Sequence, residues 1–290
     1  MEETTFTFAA ADGSDISAYR WIGDQTPKAV VQVAHGMGEH AGRYRRLAAA
    51  LNDAGYVVYA NDHRGHGATA GSADRHGDLG PGGWAALVSD LDELGAVARR
   101  EHPGIPRVVV GHSMGSFALQ GYLLDHSGSV DGAVLSGTTA IDVIAPGIDP
   151  TKEVDLSAFN AAFEPARTEY DWLSRDPEQV DAYVADPACG FGLNPRATAS
   201  MLDGLADTGD PTRLAAIRHE LPIYLVSGDA DPLAGGGALI ELVADRYRQA
   251  GVHDVTVALY PGARHEVFNE TNRDEITAGL VAWLDRITHR

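Results

Sequence analysis

Short apolar runs and longer amphipathic segments alternate along this chain. The apolar runs, rich in β-branched residues, predict strands at residues 29–34, 56–60, 107–110, 130–135, 223–226 and 255–260. Segments with helical periodicity lie between them and predict helices at residues 43–54, 84–101, 114–126, 237–250 and 272–287. This alternation is typical of an α/β fold, in which helices flank a mostly parallel central sheet.

The N-terminal segment departs from the alternation. Residues 4–9 and 16–21 have the composition of two strands, and the turn residues Ala11, Asp12 and Gly13 lie between them. Two strands joined by so short a connection predict an antiparallel hairpin at one edge of the sheet.

The alternation also stops after the sixth predicted strand and resumes only at residue 223. Unstructured connections longer than ~15 residues are uncommon in compact domains, so residues 138–220 are too long for a simple loop. Helical patterns at residues 156–163, 177–185 and 195–205 predict a helical cap. We therefore expect a core formed by residues 1–137 and 221–290, with residues 138–220 as the cap.

Net charge and apolar content limit the partners. The 290-residue chain has a formal charge of −19, which repels phosphate backbones and anionic membrane surfaces, so nucleic acid is not an expected partner. No apolar run reaches the ~20 residues that span a bilayer. The N-terminus lacks the basic and apolar regions of a signal peptide. These features predict a cytoplasmic protein without stable membrane insertion.

Cysteine and histidine usage gives no indication of a metal or cofactor. Cys189 is the only cysteine, so neither an intrachain disulfide nor a cluster of several thiolate ligands can form. Without a basic neighbour in sequence to activate its thiol, Cys189 is expected to be a small buried apolar residue. Residues 62–67 (DHRGHG) lack further ligand residues nearby, so we predict no metal site there.

The strongest signal for chemistry is the pentapeptide GHSMG at residues 111–115, which follows a predicted strand and precedes a predicted helix. This is the context of a nucleophilic serine in a sharp strand-to-helix turn. The two glycines lack the Cβ atoms that would clash there, and the N-terminus of the helix favours developing negative charge. An ordinary turn can contain the same residues, but the flanking strand and helix favour Ser113 as a nucleophile.

A serine hydroxyl requires a base, and the base requires an orienting carboxylate. In the chain order serine, acid, histidine, the expected base is His265, in a loop after the last predicted strand. Asp229 and Asp231 both follow the preceding strand, and spacing alone does not decide between them. The second aspartate would then stabilise the loop through backbone hydrogen bonds.

A tetrahedral intermediate also requires two backbone N–H donors directed at its oxyanion. Met114, which directly follows Ser113, is expected to provide one of them. Met37 is expected to provide the other, because glycines in the surrounding segment 35–40 (HGMGEH) allow the backbone to approach closely. Alternatively, His35 and Gly36 form an ordinary turn, and the side chains of Glu39 and His40 are simply solvated.

Five motifs together resemble the monoacylglycerol lipase and lysophospholipase branch of the α/β-hydrolases. They are HGMGEH with GRY at 35–44, DHRGHG at 62–67, GHSMGS at 111–116, GDAD at 228–231 and GARHE at 262–266. The motifs occur in family order across nearly the whole predicted core, so the resemblance implies the α/β-hydrolase fold.

The same resemblance implies hydrolysis of carboxylic esters through an acyl-enzyme on Ser113. It implies that His265 is the base, that Asp231 is the triad carboxylate, and that Met37 and Met114 form the oxyanion hole. The expected substrate is a small-molecule ester, either similar to a monoacylglycerol or lysophospholipid or carrying a shorter acyl chain. No cofactor is expected.

The cap contains two kinds of residue that favour different substrates. Nine charged residues between positions 152 and 176 differ from the apolar lid surface expected of membrane-active relatives, which argues against long-chain lipid. Aromatic residues that could line an acyl tunnel, or form only the core of the cap itself, are Phe159, Phe163, Tyr170, Trp172 and Phe191. We also expect that the cap can contact lipid transiently.

Other activities compatible with the same residues stay open at this point. An aminopeptidase or amidase could use the same triad, with Glu164 or Glu169 holding a substrate amine. In acyl transfer, an alcohol would replace water at the acyl-enzyme. A non-catalytic receptor is disfavoured, because it has no need of a nucleophile, an acid, a base and an oxyanion loop together.

Overall fold

The computed structural model describes residues 1–288 and is built around one eight-stranded sheet. Its strands are β1 Glu2–Ala9, β2 Asp15–Ile22, β3 Val30–Ala34, β4 Val57–Asn61, β5 Arg107–His112, β6 Gly132–Ser136, β7 Ile223–Gly228 and β8 Val255–Tyr260. Their order across the sheet is β1-β2-β4-β3-β5-β6-β7-β8. Strands β1 and β2 form the predicted antiparallel hairpin, and β2 pairs antiparallel with β4. All pairs from β4 to β8 are parallel, as the alternation predicts.

Longer α-helices connect and cover these strands. They are α1 Arg45–Asp53, α2 Gly83–Glu101, α3 Met114–His126, α4 Pro177–Ala185, α5 Pro195–Leu205, α6 Ala238–Gln249 and α7 Arg273–Thr288. One-turn α-helices occur at Gly67–Ala70, Ile141–Ile144 and Pro211–Leu214. The predicted helix at 43–54 is divided, because a 3₁₀ turn at Ala41–Tyr44 precedes α1. Among residues 1–288, no helix is long and apolar enough to cross a membrane.

The sheet is buried on both faces. Every residue of β3 to β7 is buried, which explains why these strands appear in the sequence as largely apolar runs. Successive side chains alternate between faces: Val109 packs in the cluster that contains α2 and α3, whereas Val108 and Val110 pack in the cluster that contains α1 and α7. The carboxyl ends of the central strands are left for the loops that carry the candidate site.

Residues 138–220, called the cap segment below, contain only helices, turns and loops. Helices α4 and α5 match the predicted ranges, and residues 156–163 form a 3₁₀ helix instead of an α-helix. Their starts are encoded locally, because Asp176 caps α4 by accepting from the Glu178 N–H, and Asn194 caps α5 by accepting from the Ala197 N–H. A proline at the first position of each helix reinforces these starts.

Candidate active site

Ser113 occupies a strained turn between β5 and α3. Its backbone angles are φ 51° and ψ −121°, and it is the one non-glycine residue with a positive φ among residues 1–288. Such a conformation is costly for a residue with a Cβ, and it occurs where the surrounding structure enforces it. The Ser113 N–H donates to the Ser136 carbonyl at the end of β6, and the Ser116 and Phe117 N–H groups donate to the Ser113 carbonyl.

The two glycines of the pentapeptide are required by close backbone contacts. A Cβ on Gly111 would lie 2.5 Å from the carbonyl oxygen of Gly115. A Cβ on Gly115 would lie 2.2 Å from the carbonyl oxygen of Ala34 in β3. Both distances are too short for real atoms, so the turn that presents Ser113 depends on glycine at these positions, as the sequence predicts.

Asp231 and His265 are brought together by the loops after β7 and β8. The His265 Nδ1 lies 2.8 Å from the Asp231 Oδ2, and both side chains are buried. The other carboxylate oxygen of Asp231 accepts from the Leu233 N–H at 2.9 Å. The contact to Asp231 fixes the orientation of the ring, so that Nε2 is the nitrogen available for proton transfer.

Asp229 has a different role in the same loop. Its side chain is exposed, and its Oδ1 accepts from the Gly262 N–H at 2.6 Å. It therefore connects the loop after β7 to the turn after β8 without contacting the imidazole, which is the loop-stabilising use of aspartate expected for one of the pair.

The environment of His265 favours its protonated form. Aromatic rings lie on both sides of it, with the centroids of His112 and Trp172 each 4.8 Å from that of the imidazole. Burial alone would lower the pKa of His265, but the charge and hydrogen bond of Asp231, with smaller effects from Glu266 and Glu39, raise it above its usual 6.5. The base can therefore hold a proton during a reaction.

The loop 35–40 lies directly beside Ser113. A Cβ placed on Gly36 would be 3.1 Å from the Ser113 Cβ, so a larger residue at position 36 would collide with the serine. Met37 in this loop and Met114 after the serine both line the cavity onto which Ser113 opens. The two residues predicted to supply N–H donors therefore line the same cavity as Ser113.

A buried ion network that the sequence analysis missed supports this loop. Glu39 is only 3% exposed, which excludes the alternative of a solvated side chain at this position. It accepts from the Gly36 N–H at 2.6 Å, from the Tyr44 hydroxyl at 2.8 Å and from Arg43 at 2.7 Å. Arg43 also forms a bidentate contact with Glu266, the residue after His265. The network therefore connects loop 35–40 to the loop that carries His265.

The charges in this network stabilise one another. Burial would raise the pKa of Glu266, but Arg43 lowers it to about 2, so the carboxylate stays ionised. Arg43 is shared by two carboxylates, Glu39 and Glu266, which leaves one excess negative charge near His265. The signal in the sequence was the conjunction of Glu39 and Arg43, spaced i,i+4, with an acidic residue beside the histidine.

Ser113 and His265 open onto one cavity. Besides the residues described above, its lining includes Phe117, Ile141, Ile144, Ile148, Val154, Leu156, Phe159, Trp172, Leu173, Met201 and Leu233. Most of these side chains are aliphatic or aromatic, and many belong to the cap segment. The cavity thus combines an apolar wall with a polar end beside the serine, as is common for sites that bind small molecules.

Of the five predicted aromatic residues, two line this cavity. They are Phe159 and Trp172, whose rings pack together with centroids 5.0 Å apart. The other three form contacts elsewhere: Phe163 lies beneath the Arg264 guanidinium, Tyr170 packs on Tyr183, and Phe191 stacks on His76 with centroids 4.2 Å apart.

Two further predictions concern residues around the site. Residues 62–67 form a turn in which Asp62 accepts from the N–H groups of Ala41 and Ala68, as a structural turn would require. Cys189 is half-buried, and burial raises the pKa of its thiol well above the usual range. The thiol is therefore protonated at neutral pH in the absence of a bound cation.

The parallel sheet, the nucleophile turn and the loops after β7 and β8 define an α/β-hydrolase. Residues 25–272 match the sequence profile of the family described as serine aminopeptidase, S33, and this match shows that the chain belongs to that family. Within the α/β-hydrolases it falls in the monoacylglycerol lipase-like branch, as the five motifs predict.

Individual relatives agree with this placement. The chain is 36% identical to a monoacylglycerol lipase of Mycolicibacterium smegmatis, over 96% of this chain and 95% of the relative. It is 29% identical to a monoglyceride lipase of Homo sapiens, over 90% of this chain and 82% of the relative. The structure superposes on a thermostable carboxyl esterase from Bacillus coagulans with a TM-score of 0.88 and 30% identity, over 99% of each chain. Taken with the family, these matches identify a serine hydrolase of carboxylic esters.

Proposed function

We propose that the protein hydrolyses single-chain carboxylic esters, with monoacylglycerols as the leading substrate class, through an acyl-enzyme on Ser113. The observation that carries this proposal is the mostly apolar cavity onto which Ser113 and His265 both open. Two of the relatives named above add support, because one is called a monoacylglycerol lipase and the other a monoglyceride lipase.

Each residue has a defined step in this reaction. The Ser113 hydroxyl attacks the ester carbonyl while His265 accepts its proton, and the N–H groups of Met37 and Met114 stabilise the oxyanion. Protonated His265 then returns the proton to the leaving alcohol, which leaves an acyl-enzyme. Water activated by the same imidazole releases the carboxylic acid, and Asp231 stabilises the imidazolium in both halves of the cycle.

We further propose that residues 138–220 form a cap on a core made of residues 1–137 and 221–290. Support comes from the cavity wall, because residues such as Ile144, Ile148 and Val154 from this segment face the space above Ser113. The cap charges Lys152, Glu164 and Glu169 are exposed and do not belong to this wall. The charges therefore do not oppose an acyl chain inside the cavity. Transient contact of the cap with lipid stays a prediction from the sequence.

The aminopeptidase alternative has less support from the side chains. Its proposed amine-binding residues, Glu164 and Glu169, are exposed and do not line the cavity. The acidic residues that do line it, Glu39 and Glu266, already bind Arg43. A substrate amine would therefore find no unpaired carboxylate on the cavity wall.

Residence in the cytoplasm stays a prediction from the sequence.

The test compares esters with anilides. Wild type and Ser113→Ala are assayed on monoacylglycerols and p-nitrophenyl esters of increasing chain length, and on aminoacyl p-nitroanilides. We expect ester hydrolysis by wild type and a loss of several orders of magnitude in Ser113→Ala, whose circular dichroism is unchanged. Faster cleavage of anilides than of esters would support the aminopeptidase instead, and near-normal turnover by Ser113→Ala would refute the mechanism. Added alcohol acceptors separate acyl transfer from hydrolysis by the products formed.

A further inference from the structure

A half-buried cluster of three potential metal ligands lies where loop 35–40 meets the cap segment. The cluster consists of His40, Asp186 and Cys189, and one ligand atom from each lies within 4.8 Å of the other two. The His40 Nε2 is 3.0 Å from the Asp186 Oδ2. His40 and Asp186 are 146 positions apart in the chain, so no sequence motif predicts the cluster.

A tight turn after α4 orients two of the three ligands. The Asp186 carbonyl accepts from the Cys189 N–H at 3.0 Å, and the Asp186 Oδ1 accepts from the Ala188 N–H at 2.9 Å. These bonds direct the Asp186 Oδ2 and the thiol toward the same side of the turn, where His40 lies. Two of the three ligands therefore come from one short segment, as they do in known metal sites whose paired ligands are close in sequence.

The junction around the cluster is held by backbone contacts. The Gly38 carbonyl accepts from the Tyr183 hydroxyl at 2.8 Å and from the Gly190 N–H at 3.0 Å. There is no room for a side chain at Gly38, because a Cβ there would be 2.4 Å from the Phe191 carbonyl. The relative positions of His40 and the 186–189 turn are therefore set before any ligand binds, which lowers the entropic cost of binding.

The charges also suit a divalent cation. Asp186 supplies a carboxylate oxygen within hydrogen-bond distance of the His40 imidazole. The neighbouring cation, Arg43, is neutralised by Glu39 and Glu266. A metal ion deprotonates a coordinating thiol despite an unfavourable pKa, which would give the site a formal charge of about −2 before the metal is counted.

We propose that His40, Asp186 and Cys189 bind one thiophilic divalent cation, of which Zn²⁺ fits best, and so join loop 35–40 to the cap segment. Imidazole, carboxylate and thiolate are all common zinc ligands, and bonds of about 2.0–2.3 Å at tetrahedral angles place ligand atoms about 3.3–3.6 Å apart. The ligand atoms, which lie within 4.8 Å of one another, would approach to that spacing when the ion binds. Water fills the fourth position, because His40 and Asp186 are both partly exposed.

The experiment measures metal binding to tag-free protein directly. Zn²⁺ is titrated by calorimetry and Co²⁺ by visible absorption, for wild type, Cys189→Ser and His40→Gln. His253→Gln serves as the matched control, because His253 and His219 form a separate imidazole pair with ring centroids 5.9 Å apart. Circular dichroism in the presence of a chelator establishes whether each variant is folded. Because His40 and Cys189 lie on different segments, one folded ligand variant is sufficient for the test.

We expect one Zn²⁺ per chain, with affinity lowered at least about tenfold in both ligand variants and unchanged in His253→Gln. The Co²⁺ complex should show thiolate-to-metal charge transfer that Cys189→Ser abolishes, and Zn²⁺ should raise the melting temperature of wild type. Equal, weak binding by all variants would overturn the proposal. A reduction of Zn²⁺ binding in His253→Gln alone would also overturn the proposal. Neither readout depends on hydrolysis, so this result is separate from the outcome for the proposed function.

Discussion

The Nδ1 atom of His265 lies 2.8 Å from Oδ2 of Asp231, and both side chains are buried. This contact separates two aspartates that stand two positions apart in the same loop. Asp229 points outward and holds Gly262 instead. We therefore expect the two aspartates to differ in their effect on catalysis.

Asp231→Asn should lower kcat by about 10⁴-fold, because an amide neither stabilises the imidazolium nor maintains the productive tautomer. Asp229→Asn is the matched control, and we expect less than a tenfold change. Steady-state kinetics on one p-nitrophenyl ester measures both. The reverse order would assign the orienting role to Asp229 and contradict our assignment.

The second prediction concerns the pH dependence of kcat/KM. Protonated His265 cannot accept the Ser113 proton, so kcat/KM should fall as the pH decreases through the His265 pKa, which lies above 6.5. Glu266 contributes to this raised pKa, so Glu266→Gln should move the acidic limb to lower pH.

The control for this pH profile is Glu241→Gln, on the exposed side of α6. Its acidic limb should coincide with that of wild type. An unmoved limb in folded Glu266→Gln would mean that the charge of Glu266 does not act on the base.

The third prediction concerns acid stability and the buried histidines His35, His63 and His66. Burial lowers the pKa of all three, to about 3 for His63 and about 4 for His66. Because the unfolded chain binds protons near pH 6.5 and the folded one does not, their stabilisation is complete above 6.5 and is lost as the pH falls toward 4.

Each histidine that is protonated in the unfolded chain but not in the folded chain changes the free energy of unfolding by about 1.4 kcal/mol per pH unit. Urea unfolding between pH 7.5 and 4.5 should therefore show a steeper decline in wild type than in His63→Phe. His126→Gln, at an exposed histidine, should keep the wild-type slope. Equal slopes in wild type and His63→Phe would show that His63 does not titrate in this window.

The fourth prediction concerns the cavity wall in the cap segment. Ile148 lines the cavity, so Ile148→Trp should lower kcat/KM for long-chain esters by about tenfold while acetate esters change little. Val143 is 48% exposed and does not line the cavity, so Val143→Trp is the matched control. Equal losses for acetate and long-chain esters would show that the wall at Ile148 does not contact the acyl chain.

Local sequence was sufficient for most of the fold. Buried strands such as β5 are continuous apolar runs, and the starts of α4 and α5 are marked by Asp176 and Asn194, whose side chains cap the helices. The close contact between Gly111 and Gly115 in the turn at Ser113 is likewise local. These features depend on neighbours within a few residues, so they can be inferred from sequence alone.

Tertiary structure decided the relationships between distant segments. It placed Asp231 rather than Asp229 against His265, and it buried Glu39 with Arg43 and Glu266 from the far end of the chain. It also separated the aromatic residues of the cap segment into those on the cavity wall and those packed elsewhere. Such outcomes depend on where each side chain points after the sheet and the cap segment have packed, and a linear pattern contains no information on that direction.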